Sequence, residues 1–301
     1  MSLAIAGLVT LYLVSARKYE SGETVAKSYD QWTRDGILEY YWGEHIHLGH
    51  YGNPPRAKEF IQAKIDFVHE MVKWGGLDQL PKGAKVLDVG CGIGGSSRIL
   101  AKDYGFEVTG ITISPQQVKR AQELTPPEVT ARFQLDDAMS LSFPDGTFDA
   151  VWCIEAGPHI PDKARFAKEL LRVLKPGGIL VVADWNQRDD RTCPLNWWEK
   201  AVMRQLLDQW SHPAFASIEE FAELLEKTGL TAKVITADWT RETLPAWLHS
   251  IWVGAVRPWG WLRYGIVGFI KSAREIPTFV LMRIAFGSGL CRFGMFKAVR
   301  T

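Results

Sequence analysis

Two short segments of the chain carry side chains that could move a proton at neutral pH. Glu155 and His159 follow an apolar run and lie four positions apart. His45, His47 and His50 form a second group in a stretch rich in aromatic residues. Imidazole titrates near neutral pH and can act as a general base toward a weakly acidic hydroxyl. His159 is the first candidate for such a base, with Glu155 and His47 beside it, and a structural, hydrogen-bonded histidine is the alternative for each ring.

Three histidines at spacings of two and three could also bind a metal ion. Glu44 is the one carboxylate beside them and no cysteine is near, so we predict no metal site. The four cysteines form no CxxC pair, which is typical of a reducing compartment: Cys91, Cys153, Cys193 and Cys291.

A glycine-rich segment, KVLDVGCGIGG at residues 85–95, predicts a site for a nucleotide-like ligand. Its glycines fit the pattern GxGxxG, which nicotinamide enzymes share. Those enzymes carry an acidic residue at the end of the second strand, but residues 110–112 read Gly-Ile-Thr. Asp88 lies just ahead of Gly90 and Gly92, where it could face an ammonium group, and the following helix N-terminus could receive a carboxylate. S-adenosylmethionine (SAM) presents both groups, so the sequence favours SAM over a dinucleotide.

These residues must be positioned by a sheet, and short apolar runs alternate with helical patterns from residue 85 onward. The predicted strands are Val86–Val89, Glu107–Thr112, Phe133–Leu135, Phe148–Ile154, Ile179–Asp184, Lys233–Ala237 and Arg292–Val299. The predicted helices are Ala57–Trp74, Ser96–Asp103, Pro115–Leu124, Lys163–Leu174 and Ile218–Thr228. This alternation predicts an α/β fold with a parallel sheet covered by helices on both faces. Residues 186–217 and 240–290 fall outside it.

The charge distribution argues against a nucleic-acid partner and indicates contact with another anionic surface. The net charge of the 301 residues is +1, too small for a nucleic-acid binder. From Pro245 to the C-terminus, however, eight Lys and Arg residues face a single acidic one. Four tryptophans lie in the same region, a mixture that a membrane interface selects: Trp247, Trp252, Trp259 and Trp261. A small helical core is the alternative for these rings.

The N-terminus carries a second membrane signal. Residues 1–16 contain no charge and are followed at once by Arg17 and Lys18. The run is shorter than the roughly 20 residues of a spanning helix. We therefore expect residues 1–18 to form a hydrophobic membrane anchor, with a helix docked on the protein's own surface as the alternative. Residues 19–84 are predicted to form a helical cap, which includes the His-rich loop at residues 40–52. Residues 85–301 are predicted to form the catalytic domain.

Several motifs resemble those of a known family. VLDVGCGIGG, FDAVWCIEAG (residues 148–157) and KPGGILVVAD (residues 175–184) resemble motifs I, II and III of class I SAM-dependent methyltransferases. WGEHIHLGHYG, GITISPQQVKRA, DDAMSLSFPDGTFD and RFGMFKAVR are similar to segments of the tocopherol methyltransferase family. Within it, the likeness is strongest to the branch that methylates 2-methyl-6-phytyl-1,4-benzoquinol and its solanesyl analogue.

The resemblance implies a seven-stranded Rossmann-like sheet, mostly parallel with an antiparallel last strand, and a helical insertion at residues 240–290. It also implies that the cofactor SAM is bound at its methionine end by Asp88, Gly90 and Gly92, at its ribose by Thr112 and Gln117, and at its adenine by Asp137 and Ala138.

The implied function is ring C-methylation of a prenylated quinol in tocopherol and plastoquinone synthesis. The implied partners are that quinol and a membrane lipid surface, with the catalytic domain on the cytoplasmic side of a plasma or thylakoid membrane. Two other functions stay open: methylation of another lipid, such as γ-tocopherol, a sterol or an acyl chain, and a non-catalytic scaffold.

Overall fold

The computed structural model describes residues 12, 16, 18–256 and 259–301, without the side chains of 255–264 and 266–273. The predicted anchor therefore lies outside the described residues except for Tyr12, Ala16 and Lys18. For Trp259 and Trp261, the backbone is described and the side chains are not. Among the described helices, none has the length and apolarity needed to cross a membrane.

A single seven-stranded sheet forms the centre of the molecule. Its strands are β1 (Lys85–Val89), β2 (Glu107–Thr112), β3 (Ala131–Leu135), β4 (Phe148–Ile154), β5 (Leu174–Gln187), β6 (Val234–Asp238) and β7 (Cys291–Val299). The spatial order is β3-β2-β1-β4-β5-β7-β6, and β7 runs antiparallel to both β5 and β6. The predicted fold class is confirmed. The sequence Pro-Gly-Gly at residues 176–178 lies inside β5, where the pairing with β4 shifts register after Phe148.

Eleven helices are described around this sheet. They are α1 (Gly22–Asp35), α2 (Ile37–Trp42), α3 (Phe60–Gly75), α4 (Gly95–Tyr104), α5 (Pro115–Leu124), α6 (Lys163–Arg172), α7 (Trp197–Gln209), α8 (Ile218–Lys227), α9 (Thr240–Thr243), α10 (Pro245–Val256) and α11 (Trp259–Gly287). Short 3₁₀ turns lie at Leu77–Gln79 and Gly157–His159. The backbone of α11 is broken at Gly265, where φ is 61°. Of the two segments outside the predicted alternation, residues 186–217 contain α7 and residues 240–290 contain α9, α10 and α11.

The core lies on both faces of the sheet because neighbouring strand residues point to opposite sides. On β4, Trp152 packs into the cluster that includes α3, and Val151 into the cluster on the other face. Both side chains are fully buried, and burial of such a side chain contributes about 1.5–3 kcal/mol. These two layers hold the central strands rigidly, and their carboxyl ends carry the site.

Candidate functional site

The carboxyl ends of β1, β2, β3 and β4 meet at one edge of the sheet, because these strands are neighbours and parallel. The loops that follow them surround a cleft whose empty space, part of it open to solvent, is about 690 Å³. Residues from α1 and the His-rich loop close it from above. The lining residues are Val25, Tyr29, Ile46, Val89, Gly90, Gly92, Ile111, Thr112, Ile113, Gln117, Asp136, Ala138, Ile154, Glu155, Ala156, His159 and Ile160.

The glycine-rich turn between β1 and α4 gives the cavity its floor. Gly90 and Gly92 have φ values of 77° and 55°, in the left-handed region that favours glycine. A Cβ on Gly90 would lie 2.4 Å from the Cβ of Ala156, so this glycine permits close packing against the loop after β4. A Cβ on Gly92 would meet only Ile46, at 3.9 Å. Gly92 therefore keeps open the space in which a ligand would lie.

Five of the seven predicted cofactor residues line this cavity: Gly90, Gly92, Thr112, Gln117 and Ala138. The hydroxyl of Thr112 donates to Gln117 Oε1 at 2.6 Å, and both side chains are buried. This glycine cradle, backed by polar groups and apolar walls, fits the methionine, ribose and adenine parts of SAM.

The two predicted aspartates lie beside the cavity and do not line it. Asp88 accepts a hydrogen bond from the Ser97 hydroxyl at 2.5 Å, and burial raises its pKa to about 7. It thus ties β1 to α4. Asp137 accepts from the backbone N–H of Met139. Asp136 and Glu155 are the acidic residues that line the cavity, and sequence reasoning did not include Asp136 among the cofactor residues.

A tyrosine and a histidine form a hydrogen-bonded pair in the cavity wall. His159 Nε2 lies 2.8 Å from Tyr29 Oη. Burial, and then the nearby Lys163, lower the pKa of His159 to about 3, so its ring is neutral at pH 7. The ring stacks on His212 at a centroid distance of 4.3 Å. His159 is therefore a neutral ring that contacts Tyr29 and His212. Its Nδ1 is buried and has no hydrogen-bond partner in the described part of the chain.

Tyr29 was not predicted as a site residue. It lies on α1, 130 positions before His159, and it lines the cavity together with Val25, one helical turn earlier. The apolar pair at i and i+4 was the available signal that this face of α1 points inward. Asp30 fixes the helix, since its carboxylate accepts from the Ser114 hydroxyl at 2.5 Å and from the Gln116 N–H at 3.3 Å.

Glu155 joins the His-rich loop to the end of β4. Its backbone has φ 53°, and its Oε1 accepts from the backbone N–H of Leu48 at 2.8 Å. Burial raises its pKa to about 8, opposed by the hydrogen bond from Leu48. In the folded protein at neutral pH, this carboxyl group therefore holds its proton.

The predicted His-rich loop folds over the sheet, but its histidines do not line the cavity. His47 Nδ1 donates to the Leu48 carbonyl at 2.8 Å, and its Nε2 lies 3.3 Å from the Ser96 hydroxyl. His45 packs edge-on against His47, and His50 lies against the ring of Trp239. No group of three metal-binding side chains is found among the described residues. The histidines of this loop are bonded or packed in place, which is the alternative considered above.

Comparisons with known proteins agree with this geometry. Residues 87–182 match the methyltransferase domain family. The whole chain is 76% identical over 301 residues to a 2-methyl-6-phytyl-1,4-hydroquinone methyltransferase from a Synechocystis species, covering 95% of that protein. It is 35% identical over 289 residues to the chloroplastic tocopherol O-methyltransferase of Arabidopsis thaliana, covering 90% of this chain and 80% of the relative.

Solved structures share the fold. A Galdieria sulphuraria protein described as a sarcosine dimethylglycine methyltransferase superposes with a TM-score of 0.73 at 21% identity, covering 88% of this chain and 97% of that one. A phosphoethanolamine N-methyltransferase from Haemonchus contortus, solved in complex with SAM, superposes with a TM-score of 0.72 at 18% identity, covering 90% of this chain and 59% of that one. At these identities the likeness establishes the fold alone.

Proposed function

Because the chain belongs to the tocopherol methyltransferase family of class I SAM-dependent methyltransferases, we propose that it methylates a ring carbon of a prenylated 1,4-hydroquinone. The 76% identity to the Synechocystis protein supports 2-methyl-6-phytyl-1,4-hydroquinone as the acceptor. The solanesyl analogue, a precursor of plastoquinone, presents the same ring and is the second proposed acceptor.

The observation that carries this proposal is the Tyr29–His159 pair in the cavity wall. A phenol has a pKa near 10 and its neutral ring is a weak nucleophile, so ring methylation needs a nearby proton acceptor. His159 is the proposed acceptor, with its Nε2–H donated to Tyr29 Oη and Tyr29 holding the ring in that tautomer. Nδ1 is then the nitrogen that would take the proton of the quinol hydroxyl, and because it is buried, the ring or a neighbouring side chain has to move for the quinol to reach it. The pKa of about 3 makes the ring a weak base in the empty cavity, so the proposal requires the phenolate charge to raise that pKa when the quinol is bound.

The remaining residues bind the reactants and exclude water. SAM supplies an electrophilic methyl group on its sulfonium when it is bound. Gly90 and Gly92 let the backbone approach it, and Thr112, Gln117 and Asp136 lie where the ribose and adenine would be recognised. Formation of the new carbon–carbon bond would break the methyl–sulfur bond and leave S-adenosylhomocysteine. The ring carbon would then lose its hydrogen as a proton and the oxygen would regain the proton held by His159, so that one proton is released per methyl group transferred. Glu155 and the apolar residues Val25, Ile46 and Ile160 keep water away, which favours a step that joins an anion and a cation.

His159→Ala tests the assignment of the base. We expect its kcat to fall by about 10²–10⁴, the usual effect of losing a general base, with SAM affinity nearly unchanged. Tyr29→Phe should lower kcat less, because the imidazole remains. Steady-state rates with labelled SAM and calorimetric SAM titrations are the measurements. His50→Ala, outside the cavity, is the control. A variant His47→Ala that loses activity, beside a His159→Ala within a few-fold of the parent, would move the base into the His-rich loop.

The same assay decides among acceptors. The 35% identity to a tocopherol O-methyltransferase supports a tocopherol as the alternative acceptor, and γ-tocopherol, considered above, represents it in the assay. Labelled SAM is offered with the phytyl hydroquinone, the solanesyl analogue and γ-tocopherol in parallel, and the product is analysed by NMR. We expect a new ring methyl on the hydroquinones. A methyl ether, or turnover of γ-tocopherol alone, would overturn the proposal, and absence of any turnover with intact SAM binding would favour a scaffold.

A further inference from the structure

Exposed apolar side chains are concentrated on three neighbouring helices. The described residues include ten large exposed hydrophobic side chains, and seven of them lie on α7, α10 and α11: Trp197, Trp198, Leu248, Trp252, Ile276, Val280 and Ile284. On α11 they recur every four residues and so form one stripe along the helix. We call these seven residues the apolar face. Scattered exposed apolar residues are ordinary, but a concentration on adjacent helices marks an interaction surface.

The three helices that carry the apolar face are neighbours, and their inner sides pack together. Trp247 of α10 is fully buried and stacks on Trp210, which follows α7, at a centroid distance of 6.2 Å. It also packs on Phe279 and Phe286 of α11. The helices therefore pack around one inner cluster, and α11, which carries the apolar stripe, contacts both α7 and α10. The inner cluster reaches the site as well, since Trp210 packs against His212, the ring stacked on His159.

Two further observations point to what covers this face. Lys200 and Arg204 are exposed on α7, within two turns of Trp197, and neither makes an ion pair with a described residue. Tyr12, a described residue of the apolar N-terminal run, is also near, on the buried side of α11. Tyr12 Oη lies 2.9 Å from the Thr278 hydroxyl of α11, and the Tyr12 carbonyl accepts from Gln209 Nε2 at 3.0 Å. Tryptophan at an interface with cations beside it is the composition that anionic bilayers attract.

We propose that the apolar face docks on the surface of an anionic lipid bilayer, beside the N-terminal run. Trp197, Trp198 and Trp252 lie at the headgroup level, the aliphatic stripe of α11 faces the acyl region, and Lys200 and Arg204 contact lipid phosphates. This proposal rests on the proposed function only for its purpose: the tail of a prenylated quinol is dissolved in the bilayer, so the enzyme has to bind there to reach its substrate. The docking itself requires neither turnover nor SAM.

One native cysteine offers a probe of this face in the full-length protein. Cys193 is exposed, whereas Cys91, Cys153 and Cys291 are buried, and it lies four positions before Trp197. An environment-sensitive fluorophore on Cys193 is followed while vesicles of phosphatidylglycerol and phosphatidylcholine are added. We expect blue-shifted emission that is quenched by spin-labelled lipid. A label that stays in water while the protein floats with the vesicles would overturn the proposal, because the N-terminal run alone would then hold the protein.

Ile284→Glu and Ile235→Glu form a matched pair of variants. Their side chains are 55% and 53% exposed, and Ile235 lies on β6, away from the apolar face. Ile284→Glu should weaken binding to anionic vesicles by about tenfold, as expected for an aliphatic side chain that partly enters the acyl region. Ile235→Glu should leave it unchanged. Equal effects of the two substitutions would overturn the proposal.

The cations are tested by Lys200→Gln combined with Arg204→Gln. Affinity for anionic vesicles should fall by about thirtyfold, because a cation near such a surface contributes about a fivefold factor. High salt should weaken the parent protein but leave this variant little changed. Sedimentation of the parent and of Ile284→Glu without lipid covers the other possible occupant. A dimer that Ile284→Glu dissociates would assign the face to a second copy and overturn the lipid proposal. Methyl transfer to a quinol dispersed in detergent, measured in parallel, reports on the proposed function separately.

Discussion

At the residue scale, the two glycines of the turn after β1 do different work. Gly90 gives room to Ala156 and so serves packing, whereas Gly92 faces the space where a ligand would lie. His159 and His47 differ in the same way. The ring of His159 lines the cavity, and its Nδ1 has no described hydrogen-bond partner. In His47, Nδ1 lies 2.8 Å from the Leu48 carbonyl and Nε2 lies 3.3 Å from the Ser96 hydroxyl. Residues of the same type therefore have different roles here, and the atoms around each one determine which role it has.

Gly92→Ala tests the cradle. The added methyl group enters the cavity, so we expect SAM affinity to fall by about tenfold or more, which corresponds to roughly 1.4 kcal/mol. The positive φ should also lower the free energy of unfolding by about 1 kcal/mol. Gly177→Ala is the control, because Gly177 has φ 80° and open space around it, in β5. It should lose the same stability and keep its SAM affinity in calorimetry. A loss of affinity in both variants would make the effect one of stability alone.

At the element scale, the His-rich loop is held on α3 by a buried lysine. Lys64 Nζ donates to the carbonyls of Trp42 and His45 at 3.0 and 2.7 Å and lies over the ring of Trp42. Burial lowers its pKa well below the usual value. The loop in turn presents Leu48 to Glu155, so one side chain on a helix fixes a loop that closes the cavity.

Lys64→Met should destabilise the protein, because the two carbonyls lose their donor inside the fold. An unsatisfied buried acceptor costs about 1–3 kcal/mol, and we expect a loss of that size in urea denaturation. Lys58→Met is the control, since Lys58 pairs with Asp66 near the surface and such pairs contribute about 1 kcal/mol or less. If Lys64→Met were as stable as Lys58→Met, packing alone would hold the loop.

At the scale of the whole molecule, buried titratable groups predict how stability depends on pH. Burial lowers the pKa of His45 and of His159 from 6.5 to about 3, so the folded protein loses stability as pH falls below 6.5. Burial raises the pKa of Glu155 from 4.5 to about 8, so the unfolded chain releases that proton first, and stability falls as pH rises toward 8. We expect the free energy of unfolding of the SAM-free protein to be greatest near pH 6.5.

Glu155→Gln separates the two limbs of this profile. Urea denaturation between pH 5 and pH 8 should show a flatter alkaline limb in the variant and a steeper acid limb, because Glu155 lowers stability with rising pH from about pH 4.5 to 8. Asp184, whose pKa burial also raises to about 8, should leave part of the alkaline slope in place. A parent protein whose stability rises steadily from pH 6.5 to pH 8 would contradict the buried, protonated state of Glu155.

The sequence by itself determined those features that depend on neighbours along the chain. Strand periodicity located β2 and β4 at their observed bounds, and the positive-φ requirement of the turn marked Gly90 and Gly92. Only the tertiary structure decided which groups meet across the chain. Tyr29 reaches His159, and Lys64 reaches the His-rich loop, through the packing of α1 and α3 over the sheet. The apolar stripe of α11 is likewise exposed only because its opposite side is occupied. Contacts between distant segments depend on how whole helices and strands pack, and the periodicity of a single segment does not determine that packing.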